Sequence, residues 1–489
     1  MKNLIRLIFV FCLFASISSC RKEEDFNTDS SVKLAFSEDT IIFDTVFTTI
    51  GSTTGYLLVY NNEGSPVKIS SIRLANGNSS SYRLNVDGSP GKYFTDIEIG
   101  ANDSIWIFIE VTIDPNNQNT PFLITDSILF ETNGNLQDVD LVAYGQNAHF
   151  IIPTDNFGPL QYSIIPCNNG IAVWDSTLPW VIYGYAVVDS ACKLIIESGT
   201  KVHFYNNSGL WVYRYGLLNV NGTLEHPVTF QGTRLEQSYS DIPGQWDRIW
   251  INEGPGDSNE INYAIIKNGF IGLQPENLLL VPGTNPQKLI LKNTIIKNMS
   301  GFGILSRDYT VEGYNLLIHD CGLYNAALTI GGSYEFNQCT FANYWNLGQR
   351  STPAIYLNNY YNDGTSDIAV ALTKADFKNC IVHGNIDNEL QADIISGANG
   401  NYKFSYCLLK VDTSVHVSDL THFDNVFTNE DPGFEDPAEN NYELKDGSFA
   451  IDKGNAAFII PFLTDKDIKE KIRPAPGSLL PDLGAYEKQ

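Results

Sequence analysis

The sequence predicts an all-β protein, and three observations carry that reading. Short apolar runs recur along the chain, separated by Asn, Gly, Thr and Ser. Charged residues are only 18%, low for a soluble helical protein, while Gly (39), Pro (21) and aromatics (12%) are plentiful and Met (2) is nearly absent. That balance belongs to strands joined by turns. The hydrophobic fraction of 43% excludes disorder of the whole chain. At ~150 residues per domain, 489 residues give about three domains, and long β units bring the expectation to two.

The formal charge is −25, from 31 Lys+Arg against 56 Asp+Glu. Removing the leader with Lys2 and Arg6 leaves 29 − 56 = −27. No basic patch is available for nucleic acid or an anionic membrane face. An acidic polysaccharide is disfavoured as well, unless a local basic cleft or bound Ca²⁺ inverts the field.

Residues 1–19 read as a secretory signal: Lys2 and Arg6, an apolar run from Leu7 to Ala15, then small residues before Cys20. Ile17-Ser18-Ser19-Cys20 resembles the lipobox of bacterial lipoproteins, which implies acylation of Cys20 and anchoring by several acyl chains. The tether, residues 20–31, begins with the charged run Arg21-Lys22-Glu23-Glu24-Asp25. It resembles the surface-export signal of Bacteroidetes lipoproteins, implying the cell outer membrane with the protein facing the exterior. Without Cys12 and Cys20, six cysteines remain, at 167, 192, 321, 339, 380 and 407. Three disulfides are one reading. The absence of tight Cys spacing and the apolar surroundings favour mostly buried thiols instead.

Residues 32–150 predict a β-sandwich. Strand-like runs occupy 40–47, 56–60, 69–75, 82–86, 105–113, 123–131 and 136–144, with turn signals at Asp87-Gly88 and Asn133-Gly134. Ile105, Ile107, Ile109 and Val111 alternate with Trp106, Phe108 and Glu110, the period of a half-buried strand. LLVYNNEGSPVKISSIRL, residues 57–74, resembles Ig-like modules, which hold other domains apart or bind partners. Residues 151–182, rich in Pro, are expected to be a linker and an N-terminal cap.

Residues 183–430 show repeats. Aligning Tyr263, Asn293, Asn315, Cys339, Cys380 and Cys407 in one column gives intervals of 30, 22, 24, 41 and 27. These are coil lengths of a parallel β-helix, the interval of 41 marking an inserted loop or an unrecognised turn. The column is expected to form an internal ladder. LIIESGTKVHF (194–204), LLNVNGTLEHPVTF (217–230) and Pro243-Gly244-Gln245-Trp246 resemble right-handed parallel β-helix proteins of the pectate-lyase-like superfamily. Asp431-Pro432-Gly433-Phe434 and Pro481-Asp482-Leu483-Gly484-Ala485 resemble the closing segment of exported bacterial β-helices, so residues 431–489 are expected to be a C-terminal cap.

The resemblance implies a fold more than a function. Enzymes of the group act on polysaccharides along the coil, yet the clustered Asp signatures of its hydrolases are missing. The nearest catalytic candidates are Asp247-Arg248 and Arg307-Asp308. No cofactor motif occurs; Asp363 and Asp367, in an inserted loop, are candidate Ca²⁺ ligands. Trp211, Tyr213 and Tyr215 alternate, so all three are expected on one face of a strand, where aromatic rings stack on sugars. Thr40, Thr45, Ser104, Ser127, Ser176 and Ser190 each follow Asp in a pattern that resembles the short O-glycosylation acceptor of Bacteroidetes secreted proteins. The expected function is a surface-anchored lipoprotein that binds extracellular glycan without catalysis. The rivals are a polysaccharide lyase or hydrolase, and an adhesion or scaffold protein with a surface-protein partner.

Overall fold

The computed structural model describes residues 25–116, 118–254, 257–278 and 288–489. The expected signal segment and the expected lipidation site, Cys20, lie outside them. The described residues are all-β and divide between Asn147 and Ala148 into two compact units.

The first unit consists of two five-stranded sheets. One runs Ala35–Phe36, Gly55–Asn61, Asp103–Val111, Tyr82–Val86, Ser89–Gly91; the other runs Thr40–Phe47, Asn135–Gln146, Phe122–Thr132, Val67–Leu74, Tyr93–Ile99. Neighbours are antiparallel except for Thr40–Phe47 beside Asn135–Gln146, which is parallel. Period-2 alternation supplies a shared core: Leu57, Ile69, Ile107, Ile109, Phe130 and Leu141 are fully buried. Each contributes roughly 1.5–3 kcal/mol of transfer free energy. The strand Tyr93–Ile99 was not anticipated, because its polar alternation is broken at Asp96, which sits at φ 54.

The second unit has, among the described residues, three long sheets whose strands are parallel except for Asp155–Phe157, which is antiparallel to Leu160–Ile164. Sheet I has 11 strands and begins at His149–Ile151; sheet II has 10 and begins at Asp155–Phe157; sheet III has 10 and begins at Ile171–Trp174. The chain visits them in rotation, as with Ile171–Trp174 (III), Trp180–Ile182 (I), Tyr185–Val188 (II) and Lys193–Glu197 (III). This arrangement is compatible with a parallel β-helix. Residues 151–182, expected as linker and cap, already supply parallel rungs: Ile171–Trp174 pairs with Lys193–Glu197 in register. The interval of 41 is one coil carrying two insertions, the loop 344–354 and the hairpin Tyr360–Asn362/Asp367–Ala369.

Inside the coil, like residues stack. Phe336, Phe377 and Phe404 follow one another at ring separations of 5.2 and 4.4 Å. The anticipated ladder column resolves into two adjacent ones. Residues at the corner between sheets III and I adopt left-handed backbone: Tyr263, Asn293, Asn315, Gln338, Asn379 and Tyr406, at φ 48 to 57. Asn tolerates this conformation because its short amide bonds locally. Here Asn315 Nδ2 donates to Asn293 Oδ1, and Asn293 Nδ2 to Asn262 Oδ1, each at 3.0 Å. The following residues, Ala264, Thr294, Leu316, Cys339, Cys380 and Cys407, point inward and are buried. The cysteines therefore belong one position after the Asn column. Each thiol of Cys339, Cys380 and Cys407 donates to a carbonyl of its own coil and one of the coil before, at 3.2–3.5 Å. Among the described residues Cys321 is the fourth buried free thiol, and Cys167 and Cys192 form a disulfide.

Residues 431–489 do not close the end of the coil. They lie against the outer face of sheet I, where Phe434, Tyr442, Leu444, Leu483 and Ala485 cover Leu317, Ala342, Ile381 and Leu408. The corner Asn column holds this segment, with Asn315 Nδ2 donating to the Leu463 and Lys466 carbonyls and Asn379 Nδ2 to the Asn455 carbonyl.

Candidate functional site

The outer face of sheet II gathers most of the chemistry-bearing residues. Parallel register puts Val187, Trp211, Trp250 and Gln274 in one column of successive strands. A neighbouring column runs Asn252, Glu276, Arg307, Thr329. Strand spacing of about 4.8 Å brings side chains of adjacent coils into direct contact.

A continuous network results. Tyr185 Oη donates to Asp247, whose other oxygen accepts from Arg248 Nη2 at 2.9 Å. Arg248 Nη1 donates to Gln274 Oε1, and Gln274 Nε2 donates to Glu276 Oε2 at 2.6 Å. Glu276 also accepts from Trp250 Nε1 at 3.0 Å and pairs with Arg307. Trp211 Nε1 donates to Asn252 Oδ1 at 2.6 Å. Beyond this network, Asn277 Nδ2 donates to Asp308 Oδ2 at 3.0 Å. Burial raises the Asp308 carboxyl above its ordinary value, opposed by the Asn277 hydrogen bond. Two donors in this region, Arg248 Nε and Asn252 Nδ2, are buried without a protein acceptor.

Asp247, Arg248 and Arg307 thus meet on one flank, linked through Gln274 and Glu276, which no motif had marked. The Gln-Pro-Glu segment is unremarkable in sequence; only the register of Trp250 over Gln274 reveals it. The aromatic triplet behaves differently from expectation. Its strand ends at Val212, so Trp211 alone lies on it, and Tyr215 turns through a corner at φ 65. Trp211 stacks on Trp250 at 4.7 Å and 12°, and Tyr213 meets it edge-on at 5.3 Å. The next coil therefore occupies one face of Trp211 that was to have received a sugar.

The Ca²⁺ candidates are used locally. Asp363 Oδ1 accepts from the amides of Thr365 and Ser366 at 2.8 and 2.9 Å, while Asp367 accepts from Asn362, which closes the hairpin turn. No group of three or more His, Cys, Asp or Glu side chains able to hold a metal occurs among the described residues. At four O-glycosylation candidates the preceding Asp accepts the residue's own amide: Thr45, Ser104, Ser127 and Ser190, at 2.7–2.8 Å. Ser176 and Ser190 are exposed; Thr40, Thr45, Ser104 and Ser127 are half-buried.

No family model matches the sequence, and no curated protein does either. Among solved structures, similarity is found to a family 123 glycoside hydrolase from Clostridium perfringens, at 12% identity and TM-score 0.18, covering 24% of this chain and 27% of that one. The chain thus spans about a quarter of that enzyme's length. It is also similar to the ASH/PapD-like domain of human CEP192 (11% identity, TM-score 0.18, 27% of this chain and 97% of that one). A Porphyromonas gingivalis protein of unknown function gives 12% identity and TM-score 0.18, over 28% and 60%.

Proposed function

We propose that the protein is a surface-anchored lipoprotein of the outer membrane, facing the exterior, whose Ig-like sandwich carries a right-handed β-helix that binds neutral extracellular glycan without turnover. The observation that carries this reading is the sheet II network, from Tyr185 to Arg307. It offers a strip in which Asp247, Arg248 and Arg307 are partly exposed while Gln274 and Glu276 lie buried between them, and Asp247 and Glu276 each meet an arginine. Hydroxyl-rich neutral ligands suit such a strip, and they escape the repulsion that a chain of charge −25 exerts on uronate polymers.

The engagement of the acids supports a reading without turnover: Asp247 accepts from two donors and Glu276 from three, so both are committed to the network. One observation favours the hydrolase instead: Asp308, raised by burial, has the environment of a general acid. The deciding experiment is calorimetry of the full chain against soluble neutral polysaccharides, with product analysis alongside. Saturable heat that Gln274→Ala abolishes, with no released sugars, supports binding. Sugar release that Asp308→Asn stops would replace it by hydrolysis.

A further inference from the structure

The first unit carries a second aromatic surface that the coil reading leaves unused. On the sheet containing Gly55–Asn61 and Asp103–Val111, inward positions are filled by Leu57, Val59, Ile105, Ile107 and Ile109. The outward positions should be polar on a sheet facing water. Instead Tyr56 is 57% exposed, Trp106 46% and Phe108 41%. Register explains their contact: Tyr56 lies opposite Phe108, and Leu58 opposite Trp106. Tyr56 and Trp106 rings sit 5.4 Å apart, and Trp106 and Phe108 are 6.1 Å apart and nearly parallel, at 10°. Unlike Trp211, none of these rings is sandwiched between successive coils.

The rim is polar. Arg83 pairs with Glu110 at 3.7 Å, and Thr54 Oγ1 donates to Glu110 at 2.9 Å. Asn85 stands opposite Phe108 on the other side, and its Oδ1 has no partner. Charge decides between occupants. A polyanion is repelled by the chain's −25, and a basic protein would find Glu110 already engaged by Arg83 and Thr54. A purely apolar partner would bury Arg83, Glu110 and Asn85 without new hydrogen bonds. Sugar rings satisfy both features, with C–H faces on the aromatics and hydroxyls toward the rim. We propose that this face of the first unit is a glycan-binding site for neutral polysaccharide, independent of the coil.

Native-gel affinity electrophoresis of the full chain tests this, with galactomannan, glucomannan and xyloglucan as probes and polygalacturonate as the anionic control. The expected result is retardation by at least one neutral polysaccharide, weakened roughly tenfold in Trp106→Ala, as loss of an aromatic contact predicts. Polygalacturonate should not retard the chain. Tyr56→Ala repeats the test at the most exposed ring, so misfolding of one variant does not decide it. Trp250→Ala, on the coil, separates the two readings. Binding lost there and unchanged in Trp106→Ala and Tyr56→Ala overturns this site and keeps the coil reading. No retardation by any probe overturns both. Self-association by sedimentation that Trp106→Ala removes, without glycan binding, makes the patch a contact between copies and overturns the proposal.

Discussion

Replacing Arg350 should unseat the insertion that follows sheet I strand Thr340–Asn343. Its guanidinium meets Glu389 in two parallel bonds, Nη2 to Oε1 at 2.6 Å and Nη1 to Oε2 at 2.8 Å, with side chains 1% and 0% exposed. Arg350 also donates to the carbonyls of Asn343 and Thr352 and to Asn385 Oδ1. Arg350→Met removes the cation while Glu389 stays buried, held only by the amides of Ala354 and Ile386. Breaking one side of such a pair costs about 3–5 kcal/mol. Adding Glu389→Gln removes the stranded charge and should restore about 2 kcal/mol of that loss. Urea unfolding followed by tryptophan emission measures both, because Trp345 sits in the same loop and its carbonyl accepts from Asn385. Faster exchange of the Ala354 amide should accompany the single change. An Arg350→Met protein within about 1 kcal/mol of wild type, or a double variant less stable than the single one, would refute the account.

Three other outcomes are expected. In denaturant without reductant, the described residues should expose the four free thiols Cys321, Cys339, Cys380 and Cys407, and reductant should add Cys167 and Cys192; labelling of the first four should be slow in the native state. Cys20→Ala should leave the protein in the aqueous phase of a detergent partition, and a membrane-bound variant would exclude the lipid anchor. Burial depresses His203 and His383 to about 4 and also lowers His319. The unfolded chain, near 6.5, then binds those protons first, so stability is full above about pH 6.5 and falls as pH drops toward 4, by as much as ~3 kcal/mol for each of His203 and His383. Glu487, raised to about 7 mainly by burial, acts oppositely between about 7 and 4.5 and offsets roughly one histidine. A melting temperature unchanged or higher at pH 5 than at pH 7 would contradict this balance.

Period and turn chemistry made the all-β character and most strands legible. Thr40–Phe47 and Tyr82–Val86 match the sequence reading residue for residue, since buried and exposed positions alternate there. Register was harder. The repeat column slid by one residue between Asn315 and Cys339, because Asn at a left-handed corner and Cys in the interior are both small and adjacent. A local pattern cannot distinguish a corner from the position after it; the direction of the side chain does. The functional strip was half legible for a similar reason. Asp247-Arg248 and Arg307-Asp308 are visible as charge pairs, whereas Glu276 acquires meaning only when coiling lays it beside Arg307. Aromatic alternation foretold the outward Trp106 and Phe108 correctly and Tyr215 wrongly, because a strand can end without any change in period.

The placement of residues 431–489 along sheet I has a consequence for when the coil becomes complete. Each rung pairs with the one before it, so rungs can be added in order as the chain emerges N-terminus first. The apolar outer residues Leu317, Ala342, Ile381 and Leu408 find their cover more than a hundred residues after the first of them, at Phe434 and Tyr442 and beyond. Until then a nascent chain presents a sticky, fully hydrogen-bonded wall. Arrival of the cover is also the moment at which Arg473 reaches Asn315, 158 residues away in sequence. A chain that stops short would keep an ordered coil and still be prone to associate, which makes the covering segment a timer for solubility.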